Sequence, residues 1–317
     1  MNPALSVVFL TTLAGAAQGL ALALFFAEWF SDRHWLGAAP GESFFVIGGL
    51  LAAALASAGL LASFFHLGRP ERAWRSAAMW RTSWLSREVI VLPAFIALSL
   101  AYAAAHQWWP DQSFIVGVLL AVAALALFVC TGMIYAAIRF LREWATPLTP
   151  INFTLLGCAH GFTLAAALAS LMAPGLLRFF ALGAVGFALA GLVGRLAAWQ
   201  RNATLAMSPK STLQTAIGIK HGRIVQTSQG FMGMSFNNRE FFHGRSLKTL
   251  TLLRGVCLAG AFVLPLPLLL LPLGLAAAST ALLLAAAALQ YAGMMAERWL
   301  FFAEANHPQN LYYQRMA

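Results

Sequence analysis

The chain has 317 residues, of which 61% are hydrophobic and only 9% charged, with a mean hydropathy of +0.76 and a formal net charge of +10. Soluble domains carry about a quarter charged residues, so the composition excludes a soluble enzyme and indicates an all-α polytopic membrane protein. The apolar runs are long and unalternating, unlike barrel strands, and the basic residues lie in loops between them, which makes nucleic acid a poor partner.

A span needs about 20 apolar residues to cross a hydrocarbon core of about 30 Å. The first candidate is Val7–Phe26; the N-terminus lacks a basic region and the run is too long for a leader, so no cleaved signal is expected. It contains Gly15-Ala-Ala-Gln-Gly19, a spacing that admits a second helix closely. Further spans follow at Phe44–Phe65, Val89–Ala105, Phe114–Ile138, Phe153–Met172 and Phe179–Trp199. The tryptophans of His106-Gln-Trp-Trp-Pro-Asp-Gln112, between the third and fourth, suit a membrane interface. The last apolar stretch, Leu250–Phe302, is too long for one span. Pro265, Pro267, Pro272 and Gly274 predict a turn inside it, giving eight spans in all.

An even number of spans places both termini on one side. That side holds 18 of the 20 Lys and Arg residues and six acidic residues; only Arg33 and Arg178, with four acidic residues, fall on the other. Positive charge marks the cytoplasmic face, so both termini are expected in the cytoplasm, within the inner membrane of a bacterium.

Phe64–Glu88 is the most unusual stretch: FFHLGRPERAWRSAAMWRTSWLSRE, with five arginines and three tryptophans between two spans. Pro70 and Glu71 suit a helix's first turn, which predicts a short interfacial helix over Glu71–Met79. Arg75 and Arg81 read as anchors to anionic lipid. His66, Arg69 and Glu88 read differently. Ionisable groups that close to a span usually serve function. A histidine and a carboxylate exchange protons near neutral pH, and an arginine stabilises charge on an oxygen. That is the set two-proton chemistry on a quinone requires. A structural ion pair is the bland alternative.

His66-Leu-Gly-Arg69-Pro70-x-Arg72-Ala73-Trp74, followed by Trp84-Leu-Ser-Arg87-Glu88, resembles the signature of the dimethyl sulfoxide reductase anchor subunit (DmsC) family, within the NrfD-like group of quinone-interacting membrane subunits. The similarity continues through Gly218-Ile-Lys220, Thr227-Ser-Gln229-Gly230 and the tail from Glu304 to Asn310, so it covers nearly the whole chain, 1–317, as one anchor domain. The resemblance implies eight helices and no haem. It also implies a quinone, ubiquinone or menaquinone, exchanging electrons with a ferredoxin-like partner that carries four [4Fe-4S] clusters. That partner would serve a molybdopterin (Mo-bis-pterin) catalytic subunit. Carried over, the quinone-site histidine and glutamate fall on His66 and Glu88, with Arg69 and, more peripherally, Arg72 and Trp74 beside them.

Three scattered cysteines, Cys130, Cys158 and Cys257, offer no cluster or zinc ligand set, consistent with clusters held by a partner. The polar segment Gln200–Thr249 carries seven basic residues and is expected to dock the iron–sulfur subunit. Its glycines argue against helix, and Ile217–Ile224 suggests a hairpin around His221-Gly222. On the fifth span, Asn152 and His160 lie eight residues apart, nearly on one face; His160 either lines a proton path or bonds a neighbouring helix's backbone. Cys130, Thr131 and the glycines at 183, 186, 191 and 194 read as packing residues.

Two other classes compete. A dihaem cytochrome needs about four paired membrane histidines, whereas only His66, His106 and His160 touch spans, at different depths. A secondary transporter would place its charges at broken helices near the midplane, whereas these charges cluster at one face. Among relatives of the family, a cytoplasmic arrangement resembles the membrane subunit of a sulfite dehydrogenase (SoeC-like); an exported dimethyl sulfoxide reductase would put the same face outside.

Overall fold

Apolar runs interrupted only at turns leave the backbone no hydrogen-bond partner in lipid except itself, so each run closes into a helix. A computed structural model describes residues 1–36, 40–207, 212–219, 224, 241–274, 280–308 and 310. Among them are nine α-helices: α1 (Leu5–Asp32), α2 (Glu42–Phe64), α3 (Trp84–Trp108), α4 (Pro110–Ala136), α5 (Leu148–Met172), α6 (Leu177–Met207), a short α7 (Leu213–Ile217), α8 (Leu247–Gly274) and α9 (Thr280–Ala303). All but α7 are long and apolar enough to cross a membrane. Eight spans is the expected number, and no strand occurs among the described residues.

The central helix is α1, which packs against α2, α4, α5 and α9. The Gly15/Gly19 pair meets Gly157 and Gly161 of α5, where a Cβ on Gly19 or Gly161 would collide with the facing backbone. Close approach of this kind is how helices associate in a solvent as apolar as their side chains. A second tight crossing joins Gly260 of α8 to Gly293 of α9. Of the glycines expected to pack, Gly183 and Gly191 receive Phe162 and Leu156, and Gly194 receives Asn152, whereas Gly186 has no neighbour within 4 Å of a built Cβ.

Several boundaries differ from the sequence reading, each for a physical reason. α1 runs six residues past Phe26, to Asp32, because Glu28 is held by hydrogen bonds inside the bundle rather than released to water. α3 and α4 continue through the tryptophan-rich tract and break only at Trp109, since Pro110 is well suited to open a helix. Pro265 and Pro267 do not end α8. A π-helical stretch, Ala259–Val263, precedes them, and Leu264 N–H donates to Ala259 O at 2.9 Å. Shifting the ladder by one residue accommodates a proline that has no N–H to give. Instead α8 continues to Gly274.

The interfacial segment is helical as expected but tighter, a 3-10 helix over Pro70–Met79. Helix also occurs where it was argued against, in α7. There Thr212 and Thr215 form a reciprocal capping box, and Gly218 ends the helix at φ 72°. The suggested hairpin and the Thr227–Gly230 motif lie outside the described residues. At the terminus face, Met1 N donates to the carbonyls of Ala303 and Ala305 at 3.0 and 2.8 Å, so the start of the chain and the end of α9 share one face.

Candidate functional site

The arginine-rich loop is fixed at its far end. Ser83 caps α3 by accepting from Ser86 N. Arg87 then turns back, donating from Nε to Trp80 O at 2.9 Å and from Nη2 to Arg81 O at 2.8 Å, with its guanidinium 4.2 Å from the Trp84 ring centroid. This makes Arg87 a staple, a role that counting arginines did not reveal. The 3-10 helix lies against the start of α3. Its large apolar side chains stay at the surface; Trp74 is 75% and Met79 62% exposed, as headgroup-level residues are.

Glu88 sits one turn inside α3 and is buried. Its Oε1 accepts from Thr131 Oγ1 of α4 at 2.5 Å, while Oε2 has no hydrogen bond among the described residues. Thr131, read from the sequence as a packing residue, thus also donates a hydrogen bond to this carboxylate. His66 lies two residues beyond α2, and Arg69 precedes the 3-10 helix; both are exposed. The three belong to the same membrane face and frame the same loop, but they make no direct contact with one another. Arg72 and Trp74 are exposed on the 3-10 helix.

Asn152 and His160 diverge despite their spacing. Asn152 Nδ2 donates to Gly194 O of α6 at 3.2 Å, and His160 Nδ1 pairs with Gln290 Oε1 of α9 at 3.1 Å, its ring 5.6 Å from that of Tyr291. His160 thus bonds a neighbouring helix through a side chain and not, as the sequence reading had it, through that helix's backbone.

Sequence reasoning missed an ion network at the terminus face. Arg195 of α6 faces Glu297 of α9 at 3.5 Å and Glu304 at 3.1 Å. Glu304 also takes Arg254 at 3.1 Å and Trp199 Nε1 at 3.1 Å. Arg298 lies 3.7 Å from Glu297, with its guanidinium 3.4 Å from the Phe153 ring centroid. The signal was present: an arginine inside Gly194-Arg195-Leu196 and a Glu297-Arg298 pair inside an apolar run are costly unless paired. Tyr135, one turn from Thr131, packs among Trp144, Phe153, Phe301 and Phe302, so an aromatic wall links the Glu88 site to this network.

Beside the network, a cleft of about 590 Å³ is lined by Trp199, Asn202, His243, Arg254, Glu304 and Asn306, among others. Here the end of the 200–249 segment is tied to the tail: Asn310 Nδ2 donates to Phe241 O at 2.7 Å, and the Phe241 and His307 rings stack at 3.9 Å. Burial lowers the pKa of His243, and the nearby N-terminus and Arg245 push the same way. Its Nδ1 accordingly accepts the Arg245 N–H at 3.0 Å.

A second missed cluster occupies the opposite face. Glu28 of α1, 4% exposed, accepts from Tyr102 Oη at 2.8 Å and Ser113 Oγ at 2.6 Å. His106, 3% exposed, lies between Glu28 (3.4 Å) and Glu42 (2.5 Å) and stacks on Phe45 with ring centroids 4.4 Å apart. All four acidic residues of that face, Glu28, Asp32, Glu42 and Asp111, line one cleft of about 530 Å³.

Comparison with known proteins adds two findings. Residues 1–303 match the family described as DMSO reductase anchor subunit (DmsC). The chain is also 53% identical, over 330 aligned positions covering all of both chains, to a sulfite dehydrogenase subunit of Allochromatium vinosum.

Proposed function

The chain belongs to the DMSO reductase anchor subunit (DmsC) family, and on that premise we propose that it is the quinone-linked membrane anchor of a molybdopterin iron–sulfur oxidoreductase working in sulfite oxidation. The full-length similarity to a sulfite dehydrogenase subunit supports the choice of sulfite over dimethyl sulfoxide. The observation that carries the quinone assignment is Glu88. It is a carboxylate buried at the terminus face, held by a single hydroxyl and with one oxygen uncommitted, directly under a loop that bears His66 and Arg69.

A bound quinone supplies two-electron, two-proton chemistry. The chain's own part is to move protons and hold charge. Glu88, through Oε2, and His66, through its imidazole, exchange protons with the quinone oxygens, while Arg69 stabilises negative charge there. Thr131 orients Glu88 by donating to Oε1, and the Arg87 staple keeps the loop over the site. Electrons arrive from the partner's clusters at the same face, where the 200–249 segment and the tail present the docking surface. By the positive-inside rule this face is cytoplasmic.

Sulfite-driven reduction of a soluble quinone analogue by the membrane-bound complex tests the reading. Glu88→Gln should lower that rate about 100-fold, the scale of general acid–base catalysis. Sulfite oxidation with an artificial dye as acceptor should persist. Wild-type quinone kinetics in the variant would refute the site, and a complex with no sulfite activity toward either acceptor would refute the substrate. Active alkaline phosphatase, with a dark fluorescent protein, fused after Ala317 would place the tail outside and return dimethyl sulfoxide reduction to first place.

A further inference from the structure

The cleft at the face opposite Glu88 has no part in the quinone reading. Four helices build it: α1 supplies Glu28 and Asp32, α2 Glu42, α3 His106, and α4 Asp111 and Ser113, with His34 just past α1. Their order from water inward is informative. The Glu42 side chain is 55% exposed, that of His106 3% and that of Glu28 4%. His106 Nδ1 lies 2.5 Å from Glu42 Oε2, and Nε2 lies 3.4 Å from Glu28 Oε1. Nδ1 is hydrogen-bonded to Glu42, while Nε2, buried and without a hydrogen-bond partner among the described residues, faces Glu28 at ion-pair distance. A neutral imidazole has one N–H and one acceptor, so with both acids ionised it would aim a lone pair at an anion. The trio is satisfied when the ring carries both protons, or when one proton has passed to a carboxyl.

We propose that Glu42, His106 and Glu28 form a proton relay that connects the aqueous cleft with a protonatable carboxyl inside the bundle. The ligand is a proton, delivered by water. The Nε2–H bond of the imidazolium breaks, its electron pair stays on the ring, and an O–H bond forms on Glu28 Oε1. A proton from water reaches Glu42 and passes to the opposite ring nitrogen, and the reverse order discharges the site. Tyr102 and Ser113 donate to Glu28 and hold its carboxylate form ready. Gly117 leaves room for it, since a Cβ there would stand 2.9 Å from Glu28 Oε2. Phe45, stacked on His106, fixes the ring so that each nitrogen keeps its own partner.

A static ion pair would use the same residues, so the test must see protons move. Infrared difference spectra of the purified complex would be recorded while the buffer is stepped in pH. Wild type should show a carboxylic C=O band that disappears in Glu28→Gln. In His106→Gln the same band should appear about 100-fold more slowly, as expected when a positioned proton donor is removed. Glu42→Gln alters a half-exposed side chain and leaves the buried pair in place, so it reports on the relay even if the His106 variant does not fold; it too should slow the band. An unchanged spectrum in Glu28→Gln, or wild-type rates in Glu42→Gln, would overturn the relay.

Discussion

The two membrane faces bury a glutamate at nearly the same depth from a helix end, and they treat it in opposite ways. Glu28 accepts from two hydroxyl donors and has an imidazole at ion-pair distance, beneath a cleft lined by acids. Among the described residues Glu88 has one hydroxyl donor and no hydrogen bond to its second oxygen, at the end of a loop of arginines and tryptophans. A carboxylate whose bonds are filled by its own protein is a store; one left partly unfilled is a place for something else to bind. The contrast supports the proposed division, with the quinone at one face and water-borne protons at the other.

That contrast can be broken most directly by removing the buried carboxylate from each face in turn. Glu88→Gln should cost quinone turnover about 100-fold with little effect on thermal stability. Glu28→Ala should do the reverse: it removes the buried partner of His106, which keeps only the half-exposed Glu42, and breaking a buried pair costs about 3–5 kcal/mol, read as a fall in melting temperature of the detergent-solubilised protein. If both variants lose the same property, the faces are not distinct.

A similar loss is expected from Glu297→Ala at the terminus face. It leaves Arg195 and Arg298 without their shared carboxylate, again at about 3–5 kcal/mol. Glu297→Gln should lose less, and a comparison of melting curves decides.

Smaller effects sharpen the difference between a sole donor and a shared one. Thr131→Val removes the single hydrogen bond to Glu88, and leaving a buried acceptor unmet costs about 1–3 kcal/mol; the KM for quinone should rise with it. Tyr102→Phe leaves Glu28 its serine and histidine, so about 1 kcal/mol or less is expected. Equal losses would mean that Glu28 is no better satisfied than Glu88.

How legible these sites were follows from how each is assembled. Apolar length gave the eight spans, and Gly15/Gly19 announced the close helix contact, because both signals are local. The arginine-rich loop and Glu88 were conspicuous for the same reason, lying within one stretch of 25 residues. The opposite-face cluster draws on positions 28, 42, 102, 106 and 113, each unremarkable alone. Its four acids registered only as a charge balance. Glu28 also ends the apolar run by composition, and so α1 was cut short of the residue that its last turns exist to position. Glu297 and Arg298 hid in the reverse way, inside a run that stayed apolar on average while carrying a charge pair.

The seam between α1 and α5 has a consequence for energy conservation. Gly19, Gly157 and Gly161 bring the two backbones together with no side chain between them, which leaves no volume for even one water; a water needs about 10–15 Å³ and several polar partners. With protonatable carboxyls near both surfaces, the centre of the bundle must not become a short circuit across a charged bilayer. Along the α1–α5 seam, the absence of side chains keeps the interface dry.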